Sequence, residues 1–126
     1  MIGNIGGVSM SDRNVFQNLD RLEELIKKGI KDGAEDAGNL VKNEAKDNLL
    51  KNGSYRTGNL YNSIESKVED NEEEVEAKVG TEVEYSHFVE LGTSKMSPKP
   101  YLYPALKDNV DKIVDKVADA IRKVLK

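Results

Sequence analysis

The chain has 126 residues, no cysteine, 33% charged and 37% hydrophobic side chains, and a formal net charge of −4. That length makes one domain with a modest core, and the missing cysteines exclude disulfides and thiolate metal sites. Two Phe, five Tyr and no Trp leave the core to aliphatic side chains, a composition that suits a subunit steadied by its neighbours.

Residues 1–10 lean apolar but have neither a charged leader nor a continuous apolar core, so no signal peptide is expected. They read as a flexible arm ahead of a single domain over 11–126, and no stretch approaches the length of a membrane span. Ser11 and Asp12 look like a helix entrance, with short polar side chains that accept from free backbone amides. Phe16, Leu19, Leu22, Ile26, Ile30, Gly33, Ala37, Leu40 and Ala45 then recur at spacings of three to five, one face of a long helix that Leu25, Ala34, Val41 and Leu49 widen. Unbroken from Val15 to Leu50, it would run about 54 Å. Gly29, Gly33 and Gly38 either permit close approach of a neighbour, or bend the helix, or divide it near Gly29–Gly33. Asn52 and Gly53 end it with a left-handed cap.

Thr57 and Gly58 make a turn, and Asn59 to Ser63 form either a short helical turn or an extended lead. Ile64, Ser66 and Val68 alternate with Glu65, Lys67 and Glu69, and Val75, Ala77 and Val79 with Glu74, Glu76 and Lys78. These read as two half-buried antiparallel strands joined by a turn at Asp70–Glu73, with one charged, wet face. Tyr85, Phe88 and Val89 fit a short helix face, with a strand as the alternative. Ser94 to Pro100 is a loop in which Pro98 and Pro100 withhold amides. Pro104 suits the first turn of a last helix, whose apolar stripe is Leu106, Val110, Ile113, Val114, Val117, Ile121, Val124 and Leu125. The architecture expected is α+β: a long N-terminal helix, a small antiparallel sheet including the hairpin, and a C-terminal amphipathic helix packed on the sheet.

Catalytic chemistry has little to stand on. His87 is the one histidine and has no partner in a recognisable arrangement. Asp70 with Glu72, Glu73 and Glu74 lacks the glycine and spacing of a calcium loop. No glycine-rich phosphate loop is present, and the lysines of the last helix are interleaved with four aspartates and no aromatic ladder. Charge is unevenly placed: residues 65–90 carry ten acidic against two basic side chains, and residues 91–126 carry eight basic against four acidic. Both are ordinary solvated faces, or complementary patches able to attract head to tail between copies.

Three short elements remain. Thr57, Gly58, Leu60, Ser63 and Ile64 make TG-x-L-x-x-SI; Tyr85, Val89, Glu90, Gly92 and Thr93 make Y-x-x-x-V-E-x-GT; Pro100, Tyr101, Leu102, Pro104 and Ala105 make P-Y-L-x-PA. In this order and spacing the sequence resembles the small head–tail joining proteins of long-tailed phages and prophages, of the minor tail type of Hong Kong lambdoid phages. The likeness spans the last two thirds of the chain. It departs at Ser54, where a proline commonly precedes the TG pair.

The resemblance implies the same α+β order, with no enzymatic activity and no cofactor. It implies a virion subunit, assembled in the host cytoplasm, that sits at the head–tail junction. There it self-associates as a ring around the DNA channel and contacts head-completion and tail proteins, while DNA passes without sequence-specific binding and no membrane is involved. A tail terminator or minor tail component of the same particle, or a small regulatory module that grips a partner with its last helix, are the alternatives. The motif residues read as structural: glycines for turns, threonines bonding local backbone, prolines fixing the approach to the last helix. Glu90, beside apolar neighbours, is expected either to pair with Arg56 or Lys95 or to stand exposed.

Overall fold

The computed structural model describes residues 12–53 and 58–126, with side chains described from Asn18 onward. The expected arm over residues 1–10, the Ser11 entrance, and Ser54, Arg56 and Thr57 lie outside the described residues. Helix α1 (Asp12–Lys51) is a single helix of 40 residues, about 60 Å long at 1.5 Å per residue. It does not divide at Gly29–Gly33. A short α2 (Asn59–Ser63) leads into strands β1 (Glu65–Asp70) and β2 (Val75–Gly80), then α3 (Ser86–Leu91), α4 (Leu102–Lys107) and α5 (Val110–Val124). The fold is α+β, as its patterning predicts.

One row of residues on α1 organises the rest. Gly29, Gly33, Ala37, Val41, Ala45 and Leu49 are all buried and fall every fourth residue. Four residues overshoot a full turn by about 40°, so this row winds some 200° around the helix from end to end. Its two halves therefore face different partners. The small end admits α5, which runs antiparallel to α1: a Cβ on Gly33 would stand 2.7 Å from the Val117 Cα, and one on Gly29 2.9 Å from the Ile121 Cα. The large end, Val41, Ala45 and Leu49, meets Leu60 of α2, Ile64, Tyr101 and Ala105 of α4 in the main core. Leu19 and Leu22, expected on the buried face, are exposed, and Ile26 and Ile30 are half-buried. Leu19, Leu22 and Ile26 precede the level at which α5 ends, against Gly29.

The sheet consists of β1 and β2 alone, antiparallel, with Ser66 opposite Val79 and Val68 opposite Ala77. Ser66, Val68, Val75 and Val79 are half-buried while Glu65, Lys67, Glu69, Glu76 and Lys78 face water, the alternation of a one-sided sheet. Its turn is made by Asn71, whose side-chain oxygen accepts from the amides of Glu73 and Glu74 at 2.9 and 3.0 Å, an Asx turn amid the acidic run. An ion pair between Lys31 and Asp70, at 3.6 Å, links this end to α1.

Two expectations are corrected here. The last helix is interrupted: α4 ends at Lys107, and the buried Asn109 donates its side-chain amide to the Ala105 carbonyl at 2.8 Å. That bond occupies the acceptor a continuing helix would use, and the Asn109 N–H turns to Leu106 instead. The C-terminal helix also lies along α1 rather than across the sheet, with Gly29 and Gly33 of the α1 row letting its backbone come close. Its stripe is consequently split, with Ile113, Val117, Ile121 and Val124 half-buried and Leu106, Val110, Val114 and Leu125 exposed.

Candidate functional site

All three motif elements, as far as they are described, converge on the C-terminal half of α1. From the first, Leu60 and Ile64 enter the core. Gly58 stands at φ 71°, heading α2. Ser63 donates to the Leu60 carbonyl at 2.7 Å and sits 2.6 Å from the Thr81 hydroxyl, which in turn accepts from the Val83 amide. This chain of hydroxyls couples α2 to the segment that follows β2, a link the sequence pattern did not disclose.

The second element forms α3, so the helical alternative is the one adopted. Its apolar face is narrower than expected. Val89 packs against the core, whereas Tyr85 and Phe88 are exposed, and His87 is exposed with its ring 4.1 Å from that of Phe88. Gly92 closes the helix at φ 77°, its N–H bonded to Phe88, and a Cβ there would meet the Met96 carbonyl and the Pro98 nitrogen at 2.8 Å. Only glycine meets both demands. Thr93 then folds the loop back: its N–H donates to Met96 and its hydroxyl accepts from the Lys95 amide at 3.2 Å.

The third element begins α4 and is held from two sides. Asn48 in the last turn of α1 and Asn52 just beyond its end donate side-chain amides to the carbonyls of Tyr101 (3.1 Å) and Pro100 (2.8 Å). Glu90 supplies the other side. Its carboxylate accepts from the backbone amides of Tyr101, Leu102 and Tyr103 at 3.2, 2.8 and 3.4 Å. These are amides that the start of a helix leaves without partners, and a negative charge there also suits the helix dipole. Pairing of Glu90 with Lys95 is thus replaced by a cap on α4, and Arg56 lies outside the described residues. Tyr101 is buried, which raises its hydroxyl pKa above the ordinary value, with a hydrogen bond to Ser86 opposing the shift and the Glu90 charge adding to it.

Around this junction the surface is unusually apolar. Phe88, Leu91, Tyr103, Leu106, Val110 and Val114 are all exposed, Leu91 by 73% and Tyr103 by 63%. Between β2 and the α4–α5 segment lies an open groove of about 620 Å³, floored by Ala37, Gly38 and Val41. Among the described residues no His, Asp and Glu side chains gather to hold a metal ion, and no described helix is long and apolar enough to cross a membrane. The arrangement offers surfaces for protein contact.

A family model described as "HK97-gp10_like: Bacteriophage HK97-gp10, putative tail-component" matches residues 14–92. The match takes in α1, the first element, the hairpin and the second element through Gly92; Thr93 and the third element lie beyond it. No curated protein and no solved structure matches the chain. With 79 of its 126 residues inside that match, the chain belongs to the HK97-gp10-like family of phage tail components and is a structural protein of the virion.

Proposed function

We propose that this protein is a non-enzymatic subunit at the head–tail junction of a phage or prophage particle. It assembles with copies of itself as a ring around the DNA channel and joins or completes the tail. The observation that carries the reading is the apolar surface around the motif junction: a tail-component chain that leaves Leu91, Tyr103, Leu106, Val110 and Val114 in water has surface to bury against neighbours. The acidic hairpin and the basic last third favour head-to-tail contact between copies, and such contacts close into rings when the rotation permits. The mixed-charge α5, with aspartates and lysines interleaved, lets phosphate backbone pass without gripping it. Head-completion and tail proteins are the further partners this position implies.

Electron microscopy of particles from the parental phage with the gene deleted, with and without complementation, tests the reading. Packaged heads lying apart from finished tails are expected. Tails of uncontrolled length would assign the protein to tail termination in the same particle. Normal infectious particles would overturn both and favour a regulatory module.

A further inference from the structure

Leu19 and Leu22 stand in water although they fall on the apolar stripe of α1. With Ile26, Ile30 and Val75 of β2 they floor an open groove of about 540 Å³ between α1 and the hairpin turn. Its rim is acidic. Glu23, Asp70, Glu72, Glu73 and Glu74 line it, against one lining cation, Lys27, which is already paired with Glu23 at 3.5 Å. Asp70 is paired with Lys31 at 3.6 Å, but Glu72, Glu73 and Glu74 make no ion pair among the described residues. An apolar floor under an unneutralised acidic rim selects an occupant with an apolar tip and positive flanks.

The same chain carries such a surface toward the other end of α1. Residues 91–107 contain three lysines, Lys95, Lys99 and Lys107, and no Asp or Glu. Leu91, Met96, Tyr103 and Leu106 are exposed among them. The loop over residues 94–99 is shaped before it meets anything. Thr93 and Met96 exchange backbone hydrogen bonds at 2.8 and 3.3 Å, and the Lys99 amide donates to the Val89 carbonyl at 2.8 Å, so little ordering is left for binding to cost. We propose that this loop of one copy, with Leu91 just ahead of it, docks in the acidic groove of the next copy, a proposal that rests on the ring reading above. Within one copy the two surfaces do not meet. The groove follows α1 as far as Ile30, whereas the segment after the loop is held by Asn48 through the Tyr101 carbonyl, 18 residues and about 27 Å further along the helix. No loop residue lines the groove. Two grooves face to face would set carboxylates against carboxylates, and two loops lysines against lysines, both repulsive. The contact therefore joins unlike surfaces of different copies, the heterologous kind that closes into a ring when the rotation permits.

Exchanging charge across the contact tests it in phage. Lys95→Glu with Lys99→Glu, and separately Glu72→Lys with Glu73→Lys, should lose incorporation into particles while the isolated chains keep the parental melting temperature, since all four side chains are exposed. The fourfold variant, with both surfaces reversed, should regain incorporation. Double variants that incorporate normally, or a fourfold variant that melts as the parent does yet stays out of particles, overturn the inference and leave the ring reading intact. Protein missing from otherwise normal parental particles overturns both. A crosslink decides where a charge variant does not fold. The chain has no cysteine, so phage carrying Leu22→Cys with Met96→Cys are purified, mildly oxidised and run on a non-reducing gel. A ladder of multimers that reductant collapses, absent from either single variant, is the expected result. Monomer alone, a dimer from a single variant, or an adduct with a different virion protein overturns the inference.

Discussion

Glu90 does from a distance what a serine or aspartate does at the head of most helices. Its carboxylate takes three amides at the start of α4 and so joins the second motif element to the third. Glu90→Ala should cost about 1–2 kcal/mol, the scale of a lost helix cap, measured as a lower urea midpoint. Glu90→Gln, which keeps one acceptor oxygen, should fall between. An unchanged midpoint for Glu90→Ala would remove Glu90 from this role. Tyr101 allows a pH test. Its pKa is raised by burial, so folded and unfolded chains both hold the proton below about pH 10. Above that the unfolded chain releases it first, and stability falls until the higher folded-state pKa is passed. Tyr101→Phe should cost about 1 kcal/mol at neutral pH through the lost bond to Ser86 and should flatten the decline in urea midpoint above pH 10. A decline as steep as the parent's would contradict the assignment. The motif residues themselves were legible in the sequence, but Glu90's partners were not. They are backbone amides eleven to thirteen residues onward, which carry no mark of residue type. The same holds for Asn48 and Asn52, whose acceptors are carbonyls.

Elements were legible where periodicity rules and obscure where one side chain or a missing one decides. The α1 stripe, the hairpin and the α5 stripe follow from spacing alone. The break between α4 and α5 follows from Asn109 alone, a polar residue placed where the apolar pattern runs on without interruption. The path of α5 along α1 follows from Gly29 and Gly33, which helix propensity marks only as weak points. Magnitudes decide their net effect. Gly33→Ala should gain about 1 kcal/mol in helix propensity but lose about 1–3 kcal/mol by overpacking. The atom it meets is the Val117 backbone, which has no rotamer to turn away. A lower thermal midpoint is therefore expected; a higher one would mean that α5 does not approach α1 at that distance. Ala77 shows the opposite limit: its alternation places it on the inner face of the sheet, yet it is exposed because it borders the open groove.

As a whole molecule, the protein keeps its core at one end of a long helix and leaves apolar surface on the elements that core positions. The family was legible in the sequence through short elements that gather at one junction, of which the family match covers the first and the second through Gly92. The exposed apolar surface was not, since an exposed valine in a helical stripe reads the same as a buried one. Val110→Asp and Val114→Asp, at 50% and 58% exposure, should change the stability of the isolated chain by no more than about 0.5 kcal/mol. The same substitutions should abolish incorporation into particles in a complementation assay, and incorporation at the parental level would clear this surface of a role in assembly. The most direct measurement is a cryo-electron microscopy reconstruction of the head–tail junction in intact particles of the parental phage. A closed ring of copies of this fold around the DNA channel, with the exposed α4–α5 face buried between neighbours, is the predicted result. Junction density that leaves no place for this chain, or copies that meet without forming a ring, would contradict the account.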